Sequence, residues 1–432
     1  MGSTLKKYKA IFMEESESMK GLANFLGGFL IVYPVLMSLV WIIGAVLYFL
    51  LIERRLKQTP PERDEYEGIS FLIPCYNEAD TVEETLVNVL KLSYPKKEII
   101  LINDGSSDNT AEKINALKDH YDFRFIDLQQ NRGKANALNT VVKHAQYDFV
   151  MGIDADTIID DAAPYFMIDN FRHAPKLGAV TGNPRIRNKS SILGKIQTVE
   201  YASIIGSIKR AQTLNGYVNT ISGVFTLFRK SALEAVGYWD DDMITEDIAV
   251  SWKFHMHHYE IRYEPRALCW MLVPETFTGI WKQRLRWAQG GHEVVLREFK
   301  SMLKQPNLPL WLLYLELLIS IIWVYSILFL LAFTIINIDV LDYYFYAYNV
   351  NLLTLASIIL TTVNVIQSTV SLVIDSRYER KNIVYLFFLC WYPTFYWLIN
   401  ACVAVFAFPK ALRRKKGEFA TWSSPDRGNI QR

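Results

Sequence analysis

The chain is poor in the residues that build metal cages and disulfide frameworks. Its 432 residues include 4 cysteines (Cys75, Cys269, Cys390 and Cys402) and 7 histidines. None of the cysteines forms a CxxC pair. Neither a zinc site nor a disulfide framework is expected, and a reducing or neutral compartment fits best. The one histidine cluster, His255-Met256-His257-His258, has no second group of His or Cys to complete a ligand set. Charge of one sign is also lacking. With 46 basic and 44 acidic residues the net charge is +2, which excludes a general polyanion binder. Charge disappears altogether from Gly21 to Ile52.

What fills these gaps is apolar: 51% of residues are hydrophobic and 14% aromatic. The charge-free run predicts a transmembrane helix over 25–52, long enough to cross a bilayer and too long for a signal peptide. A polar extension, 1–24, precedes it. Further apolar runs predict spans over 309–337, interrupted by Glu316, and over 343–374. A fourth run, 383–408, has Pro393 near its middle and reads as either a span or a re-entrant pair. Basic flanks set the orientation. "ERRLK", "KSMLK" and "SRYERK" read as cytoplasmic, and the acidic "IDVLDYY" as outside. The basic tail over 409–432, with "KALRRKK", also reads as cytoplasmic, which a single crossing over 383–408 would contradict. Glu316, Asn364, Gln367, Ser368 and Ser371 lie inside spans, where polar groups either line a wet path or bond neighbouring helices.

Between the first two spans lies a polar stretch. "GISFLIPCYNE", "EIILINDGSSDNT", "FRFIDL" and "YDFVMGIDAD" read as strands separated by helical patterns such as "TVEETLVNVLKL". This alternation predicts an α/β domain over 60–280, with a mostly parallel sheet and helices on both faces. Ligands of such sheets bind beyond the carboxyl ends of the strands. Asn77 and Glu78, Asp104, Asp154 and Asp156 all fall at those ends, with Arg132 and Lys134 in the loop after the third strand. The mixture suits a nucleotide diphosphate. Asp104 can accept from a uracil N–H, Lys134 can meet phosphate, and Asp154 with Asp156 can hold a divalent metal (Mg²⁺ or Mn²⁺) that neutralises a diphosphate leaving group.

"DDMITEDIAVSWKF" starts a helix at Thr245-Glu246-Asp247. Acids there favour the helix dipole, and Asp247 is also placed to take a proton from an attacking hydroxyl. Farther on, 281–306 has apolar residues at 281, 285, 288, 295, 299 and 302 opposite a basic face, as for a helix lying on a lipid bilayer. "KIQTVEYASIIGSIKR" has a similar stripe.

"PCYNE", "NDGSSD", "NRGKANAL", "DAD", "TED" and "QRLRW" occur in one order. Together they resemble the processive family-2 glycosyltransferases. "TGNPRIRNKSSILGKIQTVEYASIIGSIKR", "EPRALCWMLVPET" and "TWSSPDRG" resemble more closely the bacterial poly-β-1,6-N-acetyl-D-glucosamine synthases, from about Leu30 to the C-terminus. The resemblance implies a GT-A fold and inverting transfer from UDP-GlcNAc to a growing polysaccharide acceptor, a biofilm exopolysaccharide. It places the enzyme in the bacterial plasma membrane with its catalytic domain cytoplasmic, and often with a small membrane accessory subunit. It assigns Asp247, with Glu246, to catalysis and Asn77, Glu78, Asp104, Lys134 and Asp154 to the nucleotide sugar. Asp156, with Asp154, goes to the metal, and Gln283, Arg286 and Trp287 to the meeting point of acceptor, diphosphate and channel entrance. Trp422 and Arg427 would gate the site. A synthase of the hyaluronan, chitin or cellulose type, or an inactive membrane scaffold, remains as the alternative.

Overall fold

The computed structural model describes residues 2–336, 343–390, 392–421 and 426–428. The chain opens on a single helix, α1 (Gly2–Leu51), followed by a 3₁₀ turn at Glu53–Arg55. The domain then runs β1 (Ile69–Cys75), α2 (Val82–Lys91), β2 (Lys97–Asp104), α3 (Thr110–Leu117), β3 (Arg124–Leu128), α4 (Lys134–Val142) and β4 (Phe149–Ile153). It continues through β5 (Ile158–Ile159), α5 (Ala163–Asp169) and β6 (Leu177–Ile186). A broken helix follows: α6 (Ile192–Glu200), a π turn at Tyr201–Ser207 and α7 (Ile208–Leu214). Last come β7 (Phe225–Arg229), α8 (Lys230–Ala235), α9 (Glu246–Met256) and β8 (Glu260–Met271).

The eight strands form one sheet in the order β3-β2-β1-β4-β7-β6-β8-β5. The first half, β3-β2-β1-β4, is parallel as the sequence predicts, while β7 lies antiparallel to both β4 and β6. All seven residues of β1 are buried, because the sheet is covered on both faces. Successive side chains point to opposite sides. Phe71 and Ile73 pack with Leu86 and Val89 of α2, and Leu72 packs with Leu138 and Val141 of α4. The carboxyl ends of β1, β2 and β4 therefore share one edge.

Beyond the domain come α10 (Phe277–Met302), α11 (Leu308–Ile336), α12 (Tyr343–Asp375), a 3₁₀ segment (Arg380–Cys390) and α13 (Tyr392–Arg413). Among the described residues, three helical stretches are long and apolar enough to cross a membrane: Asn24–Arg55, Leu308–Phe333 and Val350–Asp375. The fourth apolar run is not one continuous helix with a proline in its middle. It breaks before Tyr392, and Pro393 occupies the first turn of α13, where its missing N–H costs nothing. Glu379 at the start of this segment pairs with Lys189 of the domain, and Arg414 at its end donates to the Asp242 carbonyl (3.1 Å). The segment thus begins and ends against the domain. Most of "IDVLDYY" lies outside the described residues.

Helix α10 also departs from the expected surface helix. It is wedged between the domain and α13, where Trp281 meets Phe406 with ring centroids 5.8 Å apart. Its buried set includes Gln283, Arg284, His292 and Glu293, while the expected stripe residue Phe299 is exposed. A helix covered on two sides does not bury the single face that periodicity picks out. The second striped segment is buried too. Ser207 bonds Ser371 of α12 (2.5 Å), so that span residue serves helix pairing.

Domain and spans are clasped by buried charge. Arg210 of α7 grips Glu53 through Nε (2.6 Å) and Nη2 (3.0 Å), and Nη2 also reaches Asp375 of α12 (2.9 Å). Arg185 of β6 reaches the other Asp375 oxygen (2.6 Å), and the Tyr378 hydroxyl donates to Glu53 (2.8 Å). Glu53 and Arg210 have no exposed surface. Removing one member strands the others in low dielectric, so Arg210→Ala is expected to cost about 3–5 kcal/mol. Differential scanning fluorimetry of the purified protein in detergent reads this as earlier unfolding. The double change Arg210→Met with Glu53→Gln recovers part of the loss; if Arg210→Ala unfolds with the wild type, the clasp contributes nothing.

Candidate active site

The strand ends build a floor before any ligand is considered. Asn77, just past β1, adopts a left-handed backbone (φ 55°). Its Oδ1 accepts from Ser107 N (2.8 Å) and Asp108 N (3.3 Å), fastening the loop after β1 to the loop after β2. Asp104, the last residue of β2, is fully buried. Its oxygens accept from Arg132 N (3.2 Å) and Gly133 N (2.8 Å). Burial pushes its carboxyl up to about 6 while those amides pull the other way. Asp104 thereby holds the loop at Arg132 and Gly133 against the end of β2. Gly133 takes φ 93°, open to glycine, and its Cα lies against the Ala420 carbonyl of the tail.

Lys134 opens α4 and is the hub. Its Nζ lies 2.5 Å from Asp154 Oδ1, 2.8 Å from the Gly223 carbonyl and 3.4 Å from Glu246 Oε1. Burial would lower its pKa, but Asp154 and Glu246 prevail and hold it above the usual lysine range. One ammonium thereby links the end of β4 to the start of α9. Asp247, one residue into α9, accepts from its own helix at Ile248 N (2.9 Å). Burial, reinforced by Glu246, raises its carboxyl to about 6 against the pull of Lys134 and Arg286. A half-buried carboxylate so tuned is suited to accept a proton near neutral pH. Gly223 makes room for it: a Cβ there would stand 3.0 Å from Asp247 Oδ2.

From the membrane side, α10 presents Gln283, Arg286 and Trp287. Gln283 is buried, and its Oε1 has no hydrogen-bond partner among the described residues. Arg286 acts on Asp247 by charge. Trp287 packs on Ile186, Tyr201, Met271 and Val273, with the Arg284 guanidinium 4.2 Å over its ring. One face of Trp287 is therefore taken by Arg284, which also grips Glu200 (2.6 Å).

The tail closes the front. Phe419 lies under Arg132 (5.4 Å), Ala420 N donates to the Asp241 carbonyl (2.8 Å), and Asp426 accepts from Thr276. Arg427 then inserts its guanidinium between Glu78 and Asp156. Both carboxylates are buried. Burial drives Glu78 up to about 7 and Asp156 upward as well, with Arg427 opposing the rise in each. Trp422 lies outside the described residues. The resemblance implied a gating role for Arg427; its pairing with both Glu78 and Asp156 has no signal of its own in the sequence.

The donor set fits a hard divalent cation in an open site. Asp154 and Asp156 offer carboxylate oxygens, and Asp156 already neutralises a cation in the form of Arg427. Among the described residues no three His, Cys, Asp or Glu side chains converge into a closed cage. Magnesium-type sites typically use one or two carboxylates plus substrate phosphates.

Residues 70–237 match the family described as Glycosyl transferase family 2. The chain is 63% identical over 407 residues to the poly-β-1,6-N-acetyl-D-glucosamine synthase of Staphylococcus epidermidis, covering 94% of this chain and 99% of that protein. It is 64% identical over 407 residues to the synthase of the same name from Staphylococcus aureus strain MSSA476, with the same coverage. Among solved structures, the mannosyltransferase PcManGT from Pyrobaculum calidifontis, in complex with GDP-Man and Mn²⁺, shares the fold. Its TM-score is 0.55 at 18% identity, over 88% of this chain and 99% of that one. The chain belongs to glycosyltransferase family 2, within its group of poly-β-1,6-N-acetyl-D-glucosamine synthases.

Proposed function

We propose that the chain transfers N-acetylglucosamine from UDP-N-acetylglucosamine onto the end of a growing poly-β-1,6-linked polymer, with inversion, and passes the product toward its spanning helices. The observation that carries this reading is the single ammonium of Lys134 joining Asp154 to the helix start that bears Asp247. It brings a diphosphate position and a base to one place. In the transfer, Asp247 takes the proton of the acceptor's 6-hydroxyl as that oxygen bonds to the anomeric carbon. The bond from that carbon to the diphosphate oxygen breaks on the opposite face, and UDP leaves. Lys134 and Arg286 meet the charge that develops. Asp156 and Asp154 would hold a divalent ion, which supplies further charge neutralisation at the diphosphate. Gln283 and the open face of Trp287 receive the acceptor sugar. Asn77 and Asp104 shape the nucleotide floor.

Arg427 and the tail act as a gate. The guanidinium pairs with Glu78 and Asp156, and a diphosphate would offer it a bidentate partner instead. We place the domain on the cytoplasmic side of a bacterial plasma membrane, as a multi-pass protein, because the basic flanks lie beside the domain. A small membrane subunit is included as a partner.

Membranes holding the protein, with and without candidate small subunits, are offered UDP-GlcNAc, UDP-Glc or UDP-GlcA with a divalent metal. A 1,6-linked polymer from UDP-GlcNAc alone is expected. Asp247→Asn should lower turnover about 10²- to 10⁴-fold, and near-normal turnover in that variant would remove Asp247 as the base. Because the Asp247 carboxyl is raised to about 6, its basic form is lost on acidification. The wild-type rate should therefore fall as pH drops through about 6; a rate flat from pH 7 to 5 contradicts the assignment. Arg427→Ala leaves Glu78 and Asp156 without their cation, so Mn²⁺ titrated calorimetrically into the donor-free protein should bind severalfold more tightly. Unchanged or weaker binding counts against the gate.

A further inference from the structure

Lys209 has no part in the roles assigned above, and its position is costly. It lies in α7, one residue before the Arg210 clasp, and is 5% exposed. Among the described residues its ammonium makes one hydrogen bond, a long one, to Thr181 Oγ1 of β6 (3.3 Å). A buried ammonium so poorly served is destabilising, and a methionine would fill the space without that penalty. The charged and titratable groups that act on it are Asp247 of α9 and Cys269 of β8. On the α1 side Gly44 lies on Ala211, and Tyr48 interacts with the adjoining Arg210.

The same Thr181 oxygen accepts from Ser222 N (2.7 Å). Ser222 opens a short turn that touches every reacting group. Gly223 packs on the Asp247 carboxylate, and its carbonyl accepts from Lys134 (2.8 Å). The Val224 carbonyl accepts from Asp154 N (3.2 Å). Just before it, Ile221 N donates to Ser251 Oγ (3.0 Å), which donates to the Asp247 carbonyl (2.6 Å).

We propose that Lys209 and Thr181 are positioning residues of the transfer reaction: they fix the Ser222–Val224 turn that spaces Asp247, Lys134 and Asp154, and tie that spacing through Arg210 to the membrane helices. This rests on Asp247 being the base. A misplacement of about 1 Å at a reacting pair can cost on the order of 10²-fold in rate, so the effect belongs in kcat rather than in donor binding. Burial lowers the Lys209 pKa to about 8. Its charge is therefore present below that pH and lost above it, and the neutral amine holds Thr181 more weakly.

The test uses the full chain in membranes with UDP-GlcNAc. Lys209→Met is expected to lower kcat roughly tenfold to a hundredfold, with the donor KM within about threefold of wild type. Lys209→Arg, charged at every pH used, should restore most of the rate and abolish the alkaline fall that the wild type shows above about pH 8. Thr181→Val should behave like Lys209→Met, and Thr181→Ser, which keeps the hydroxyl, like the wild type. The valine variant carries the test if Lys209→Met does not accumulate. Turnover of Lys209→Met within twofold of wild type would overturn the proposal, as would an arginine variant no better than the methionine one. Failure of the base reading appears separately, as an active Asp247→Asn; a Lys209 loss rescued by arginine stands apart from it.

Discussion

A carboxylate taken out of water must be met by a cation, and this one requirement organises both ends of the molecule. At the strand ends, Asp154, Glu246, Glu78 and Asp156 are drawn into a partly closed cleft and are answered by Lys134 and Arg427. At the membrane junction, Glu53 and Asp375 are answered by Arg210 and Arg185. The two clusters differ in what they leave open. In the cleft the cations come from the start of α4 and from the tail. At the junction they come from α7 and β6, in the interior of the fold.

The broken helix between these clusters gives the fold its unity. Ser207, Lys209 and Arg210 are close in sequence but point to α12, to β6 and to the junction of α1 with α12 respectively. Three directions in four residues exceed what one face of a regular helix offers. Domain and spans therefore meet in a seam that adds buried charge to apolar contacts such as Trp252 with Tyr314 and Val199 with Leu372.

Much of this was legible in the residues. Strand–helix alternation placed Asn77, Glu78, Asp104, Asp154 and Asp156 at one edge because parallel strands must all end there. The start at Thr245-Glu246-Asp247 appeared as α9 opening at Glu246. What periodicity could not see was contact from outside an element. Asp104 reads as a free acid, yet neighbouring loop amides occupy it. The stripe on α10 assumes one covered face, and α13 covers a second. Arg427 sits in a polar tail, and beyond the gating role that the resemblance implied no pattern shows which carboxylates it meets. Lys209 sits in a stripe that reads as surface, and its face of α7 packs toward β6.

The π turn at Tyr201–Ser207 has a consequence for how this segment can change. A π turn holds more residues per turn than an α-helix, so it can lose one by tightening to α, whereas gaining one shifts everything beyond it by about 100° around the axis. Such a shift would swing Arg210 away from Glu53 and Lys209 away from Thr181 together. A single-codon insertion would therefore strike the junction and the active-site turn at once. Length, more than residue identity, is what this helix has to preserve.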